Sequence, residues 1–295
     1  MAYFSPEMTV RYCGREFSAQ EMARIREIIQ GNPAYTRRNL SWAVCREFQW
    51  LKADGGLKEM SCRVAMLRMQ RDGLIQLPPP ARPHHGGRYR IARTLFAEPQ
   101  EEVTGSVEQI AGVRLDLIRS RSESHLWNEL IDRYHYLGYT ALPGAQLRYL
   151  IQSAEQPLGC LGFSASAWKI APRDEWIGWS ADQRKKNLHL IVCNARFLLL
   201  PWIRVRNLAT KVLAMAARLL PNDWVDRYGY RPVLLETFVE VGRFHGTSYK
   251  AANWLCVGLT KGRGRNDVHT QAREPVKSIW VQPLSRHFRE VLCGR

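Results

Sequence analysis

The sequence predicts an α/β (α+β) protein in which a small helical module precedes a larger domain built on a mixed sheet. Three observations carry that prediction. Residues 18–73 show apolar positions at helical spacing in three blocks, each bounded by capping or turn residues. From Val113 onward short apolar runs alternate with helical patterns, as expected of a sheet covered by helices. Between them residues 92–112 carry a net charge of −3 while residues 1–91 carry +7, so the acidic stretch Glu98-Pro99-Gln100-Glu101-Glu102 reads as a linker. The expected division is therefore a module over 1–91, a linker over 92–112 and a domain over 113–295.

Within the module, Ser18 with Glu21 forms a capping box ahead of Met22, Ile25 and Ile29, and Gly31 stops that helix. Thr36 caps a second helix carrying Leu40, Val44 and Phe48. A third helix follows Asp54-Gly55-Gly56, with Met60, Val64 and Leu67 on one face and Gly73 at its end. Leu74–Leu77 then reads as a strand, and Gly86-Gly87-Arg88-Tyr89-Arg90 as the far side of a basic loop. In the larger domain Val113–Ile118 reads as a strand, and Ser124 as the cap of a helix bearing Trp127, Leu130, Ile131 and Tyr134. Strands follow at Leu147–Gln152 and Leu158–Ser164, joined by a polar turn around Glu155. A long apolar strand spans Leu188–Leu200 and passes through Pro201 into a helix, Leu208–Leu220. Pro232–Val239, a short helix at Tyr249–Ala252, Trp254–Leu259 and Ile279–Val281 complete six or seven strands.

Lys and Arg number 43 against 27 Asp and Glu, giving a formal charge of +16 over 295 residues, which favours a polyanionic partner. No apolar run reaches the roughly 18 residues of a membrane span, and the first residues lack the basic-then-apolar pattern of a signal peptide. The seven cysteines (13, 45, 62, 160, 193, 256, 293) are odd in number and contain no C-x-x-C pair. A cytoplasmic protein with reduced thiols and no membrane association is expected.

Three helices followed by a basic hairpin is the winged-helix plan, in which the third helix enters the major groove and the wing touches the backbone. Lys58, Arg63, Arg68 and Arg71 lie on the third helix, and Arg88 and Arg90 on the wing. Double-stranded DNA is the partner this arrangement predicts. Thr260-Lys261-Gly262-Arg263-Gly264-Arg265 adds a second candidate: glycines let the chain turn tightly while Lys261, Arg263 and Arg265 converge on phosphates.

Two resemblances follow from the residues themselves. Pro201-Trp202-Ile203-Arg204-Val205-Arg206-Asn207-Leu208-Ala209 resembles the pyrophosphate-binding loop of GCN5-related N-acetyltransferases, so the domain is expected to be acetyltransferase-like, with Arg204, Asn207 and Ala209 at the cofactor-facing positions. Asn207 stands where that family has its first glycine, where the backbone approaches the phosphate closely. Weak acetyl-CoA binding, or no cofactor, is therefore expected. The blocks Tyr134–Gly138, Leu161–Ala165, Asn194–Leu198, Leu235–Val239 and Gly246–Trp254 resemble, in order, those of the DruA family of Druantia anti-phage systems, as do Arg63–Leu67 and Gly73–Pro78. That resemblance implies a role in bacterial antiviral defence beside a helicase-like partner.

Four residues are candidates for chemistry. Period two in Val233–Val239 puts Glu236 on the face of Leu234 and Phe238, where a carboxylate must be paired, protonated or functional. Arg196 interrupts the apolar run Leu190–Leu199, so an internal Arg196–Glu236 ion pair is the first expectation. The alternative is a site in which Glu236 acts as a base, with His135 and Asp174 nearby. No cluster has metal-ligand spacing, and no nucleotide fingerprint or Ser/His/Asp arrangement occurs. An acyl-CoA-dependent modifying enzyme and a transposon-linked nuclease or recombination factor remain open beside the DNA-binding reading.

Overall fold

The computed structural model describes residues 9–52, 54–81, 91–154, 156–263 and 274–294. The chain divides into two units, residues 1–88 and 89–295.

The first unit opens with a hairpin, β1 (Val10–Tyr12) and β2 (Arg15–Phe17), whose turn residues Cys13 and Gly14 both have positive φ, 50° and 79°. Helices α1 (Ala19–Gln30), α2 (Arg37–Glu47) and α3 (Glu59–Arg71) follow. Ser18 accepts from the Glu21 amide while Glu21 accepts from the Ser18 amide, and Thr36 caps α2 through the Asn39 amide. Phe17, Met22, Ile25, Leu40, Val44 and Met66 meet in one core.

Two expectations are corrected here. On α3 the buried stripe is Cys62, Ala65, Met66 and Met69, so Met60, Val64 and Leu67 face solvent. Leu74–Leu77 is not a strand. Ile75 and Leu77 are buried, but the Leu74 amide donates to the Met69 carbonyl and the Leu77 amide to Gln70 Oε1, so the segment folds back on α3 instead of pairing. The proposed wing, with Arg88 and Arg90, lies outside the described residues, as does the turn at Glu155.

The second unit contains, in order, β3 (Val103–Ser106), β4 (Arg114–Leu117), α4 (Arg121–Tyr134), β5 (Gln146–Gln152), β6 (Pro157–Ala165), α5 (Ala171–Ile177), α6 (Ala181–Asn187), β7 (Ile191–Leu199), β8 (Ile203–Arg206), α7 (Leu208–Tyr228), β9 (Leu234–Glu240), α8 (Thr247–Ala251), β10 (Leu255–Leu259), β11 (Lys277–Pro283) and α9 (Phe288–Cys293). Seven strands form a mixed sheet in the order β10-β11-β9-β7-β6-β5-β4, antiparallel throughout except for β7 beside β9. Trp127 and Ile131 of α4, and Leu213 and Leu220 of α7, pack into the main core of this sheet.

The acidic segment is not a linker. Thr94 donates through its amide and hydroxyl to the buried Glu129 at 2.8 and 2.7 Å, Tyr134 donates to the Ala97 carbonyl, and Arg133 pairs with Glu98 at 2.8 Å. Residues 103–106 then form β3, parallel to β8. The cap of α4 is Ser120, boxed with Glu123, not Ser124. Helix α7 runs past Leu220 and through Pro221, because Pro221 and Trp224 are buried and continue its apolar side until Gly229, at φ 77°, ends it. Among the described residues no helix is long and apolar enough to cross a membrane.

Candidate functional site

The sheet of the second unit is open along one seam. Strands β7 and β9 pair over three positions, Ile191–Leu234, Val192–Leu235 and Cys193–Glu236, and then separate. At the point of separation the register between β6 and β7 shifts: Gly162 faces Arg196 and Phe163 faces Asn194, so Ala195 is an extra residue. Such a bulge turns the side chains beside it away from the regular alternation. The parting strands are tied at their vertex by Thr237 Oγ1, which donates to the Asn194 carbonyl at 2.9 Å, and by the Tyr249 hydroxyl, which donates to Asn194 Oδ1 at 2.8 Å. Beyond that vertex lies a cleft of about 2040 Å³.

Arg196 lines this cleft. One of its terminal nitrogens donates to the Ala195 carbonyl at 2.8 Å and the other to Thr140 Oγ1 at 2.7 Å. Its buried Nε finds no acceptor, and among the described residues no carboxylate pairs with it. Burial without a counter-charge holds this guanidinium below its ordinary pKa. His135 also lines the cleft, at the C-terminus of α4, stacked on Tyr136 with ring centres 4.9 Å apart. Burial, and then the Arg196 charge, push its pKa down to about 4. It is neutral at pH 7, and because Nδ1 accepts from the Leu137 amide, the proton is on Nε2. The Cys193 thiol, also on the cleft, is pushed well up by burial and is not a nucleophile at neutral pH.

The expected Arg196–Glu236 pair does not form. Glu236 is bound instead by Arg173 of α5, with an N–O separation of 2.7 Å and neither side chain exposed. The second carboxylate oxygen accepts from the Ala167 amide, and Arg173 also donates to the Ala167 carbonyl and to Asp174. Asp174 accepts as well from Trp179 Nε1 and the Ile170 amide. Each oxygen of both carboxylates thus has a donor, and this network braces α5 against β9. Of the four chemistry candidates, the structure thus brings His135 and Arg196 together in the cleft and places Glu236 and Asp174 in a separate buried network. Sequence reading missed Arg173, which looks like a surface cation beside Asp174 and Glu175; its burial follows from a contact 63 residues away.

The strand ahead of α7 is paired where the acetyltransferase resemblance implies an open loop. Ile203–Arg206 forms β8 and pairs with β3, the Val103 amide also donating to the Trp202 carbonyl. Arg204 turns outward onto Glu102 at 3.0 Å. Asn207 adopts the left-handed conformation, φ 62°, that the family's glycine would supply, and Ala209 lines the cleft.

The cationic candidates divide. Lys261 and Arg263 line the cleft, together with Lys169 and Lys277 and against Glu175 and Glu274. Arg265 lies outside the described residues. On α3, Lys58 is the N-terminal flanking residue, Arg63 pairs with Glu59, Arg71 pairs with Asp72 at 3.1 Å while three-quarters exposed, and Arg68 is exposed. The outward stripe of this helix is Met60, Val64, Leu67, Arg68 and Arg71, one face at helical spacing.

A small helical unit with a cationic helix face, joined in one chain to a mixed seven-stranded domain split by a cationic cleft, defines the class. Solved structures similar to part of it are acetyltransferases. They include an aminoglycoside acetyltransferase AAC(6')-Ib in complex with coenzyme A (14% identity, 60% of this chain and 98% of that one, TM-score 0.40). A spermidine N-acetyltransferase SpeG chimera from Vibrio cholerae and hSSAT is similar at 10% identity over 59% of this chain and 97% of that one (TM-score 0.38). The NatC complex bound to Gag peptide and CoA is similar at 10% identity over 59% and 99% (TM-score 0.36). No curated protein sequence matches the chain. The family model described as Druantia protein DruA matches residues 68–277, and the chain belongs to that family, a component of Druantia anti-phage defence.

Proposed function

We propose that this chain is the DNA-binding component of its Druantia system, docking on duplex DNA through the outward face of α3, with a helicase-like protein as its partner. The observation that supports this reading is the composition of that face. Met60 is 63% exposed and Val64 and Leu67 stand out beside it, while Arg68 and Arg71 continue the same stripe. A helix in the major groove needs both kinds of residue. Cations fix it on phosphates and apolar side chains meet thymine methyl groups and base edges. A merely solvated helix face has no use for three large apolar residues in a row.

The test is titration of a fluorescent duplex with the full chain and with a Lys58→Ala, Arg68→Ala, Arg71→Ala variant over a range of salt concentrations. Unchanged affinity and unchanged salt dependence in a folded triple variant would refute the docking.

A further inference from the structure

We infer that the cleft beside Arg196 is a second nucleic-acid site, one that takes a single strand, with a phosphate on Arg196 and unstacked bases on Trp168 and Phe244. The inference rests on the nucleic-acid reading above but uses a different surface and different residues.

Four features of the cleft converge on it. Arg196 has hydrogen-bonding capacity left over: each terminal nitrogen makes one bond and carries a second N–H, and among the described residues no carboxylate neutralises the head group. A guanidinium kept partly out of water without a counter-charge is a receptor for an anion, and phosphate fits its fork. The cleft also displays aromatic rings that a folded chain would normally bury. Trp168 is 58% exposed, Phe244 47% and Tyr136 38%. Tyr136, covered by His135 and by Arg243, meets Phe244 edge to face at 5.3 Å, and Arg184 lies 5.6 Å over the Trp168 ring, so the Phe244 and Trp168 platforms are held in place. Lys169, Lys261, Arg263 and Lys277 outnumber Glu175 and Glu274 around the walls.

The volume favours an extended ligand over a small one. At about 2040 Å³ the cleft is larger than the roughly 300–1,000 Å³ of a pocket for a drug-sized molecule. Rings and cations interleaved along an open groove are the pattern of single-strand binding, in which every base offers a face for stacking whatever its identity. Duplex DNA cannot use the rings, because its bases are stacked on one another. The chemistry differs from that of α3, where the apolar residues are aliphatic.

The experiment is fluorescence anisotropy with the full chain, a labelled twelve-nucleotide mixed-sequence single strand and a labelled duplex. Trp168→Ala is the primary variant, since its exposed ring leaves the fold intact; Arg196→Gln is the second, with melting curves recorded for both. The expected result is a loss of about tenfold in strand affinity for Trp168→Ala, equivalent to ~1.4 kcal/mol and within the range of one lost base stack. Arg196→Gln is expected to lose at least as much, and duplex affinity to hold in both. The α3 variant should show the opposite pattern, so failure of one site is distinguishable from failure of the other. The proposal is overturned if the wild type does not bind the strand or if Trp168→Ala binds it as wild type does. Equal competition by a mononucleotide or by polyglutamate of the same charge also overturns it, since either would show that stacking along a strand contributes nothing.

Discussion

Arg173 and Glu236 face each other at 2.7 Å with both side chains at zero exposure, and Ala167 and Asp174 supply the pair with further partners. Removing one member of such a buried pair leaves the other charge uncompensated, at a cost of about 3–5 kcal/mol. Glu236→Gln and Arg173→Met are each expected to lower the melting temperature markedly. The double variant should recover part of the loss, because position 236 then no longer holds a charge facing an uncharged partner, while Asp174 keeps Trp179 and Arg184. Denaturant titration of the three variants checks this. Additive losses would show that the two residues do not act as a pair.

Duplex binding should respond to charge on α3 in a graded way. Each phosphate contact contributes about 0.9 to the log–log slope of affinity against salt. The Lys58→Ala, Arg68→Ala, Arg71→Ala variant is therefore expected to lower the slope by two to three units. Met60→Ala, by contrast, should weaken binding with the slope unchanged, since it removes an apolar contact and no counterion is released.

Coenzyme A is expected to bind weakly or not at all. Asn207 keeps a side chain where the acetyltransferase loop has glycine, and Arg204 is engaged by Glu102. Calorimetry at ~1 mM ligand is sensitive to binding worth about 4 kcal/mol. Micromolar affinity would show that the Asn207 side chain leaves room for the pyrophosphate, and would favour the acyl-transfer alternative.

His135 makes stability depend on acidity. Its folded pKa of about 4 lies below the ordinary 6.5, first because of burial and then because of Arg196. Between those values the unfolded chain takes up a proton that the folded chain refuses, so stability falls as pH drops from about 6.5 to 4 and levels off below. For a partly exposed ring the discounted loss is roughly 1–2 kcal/mol. His135→Gln should flatten this part of the profile, as read by denaturant midpoints at pH 7 and pH 4.5. Equal losses in wild type and variant would exclude His135 as the source.

Local signals were legible in the sequence where local chemistry sets the structure. Ser18 with Glu21 marked the start of α1 because both partners of the capping box lie within four residues. Periodicity in α3 was legible, but its inward face was not. Met60, Val64 and Leu67 and the set Cys62, Ala65, Met66 and Met69 are both at helical spacing, and small residues buried by close packing carry the weaker signal. Leu74–Leu77 has the composition of a strand but no pairing partner among the described residues. Of the candidate site, the oddity of Arg196 and Glu236 in apolar runs was visible from composition. Their partners were not, because Arg173 and Thr140 reach them across 63 and 56 residues.

The pairing of β3 with β8 bears on how the chain is made as well as on what it binds. Val103 must wait for Ile203, so during synthesis the earlier strand has no mate while the intervening residues emerge. At ~5–20 residues per second that interval is on the order of 5–20 s. Through it an acidic segment with one unsatisfied edge stands open beside the ribosome. A nascent chain arrested before Arg206 would hold its first half in a form the finished protein never shows, and protease sensitivity around Val103 in such stalled chains would time the closure.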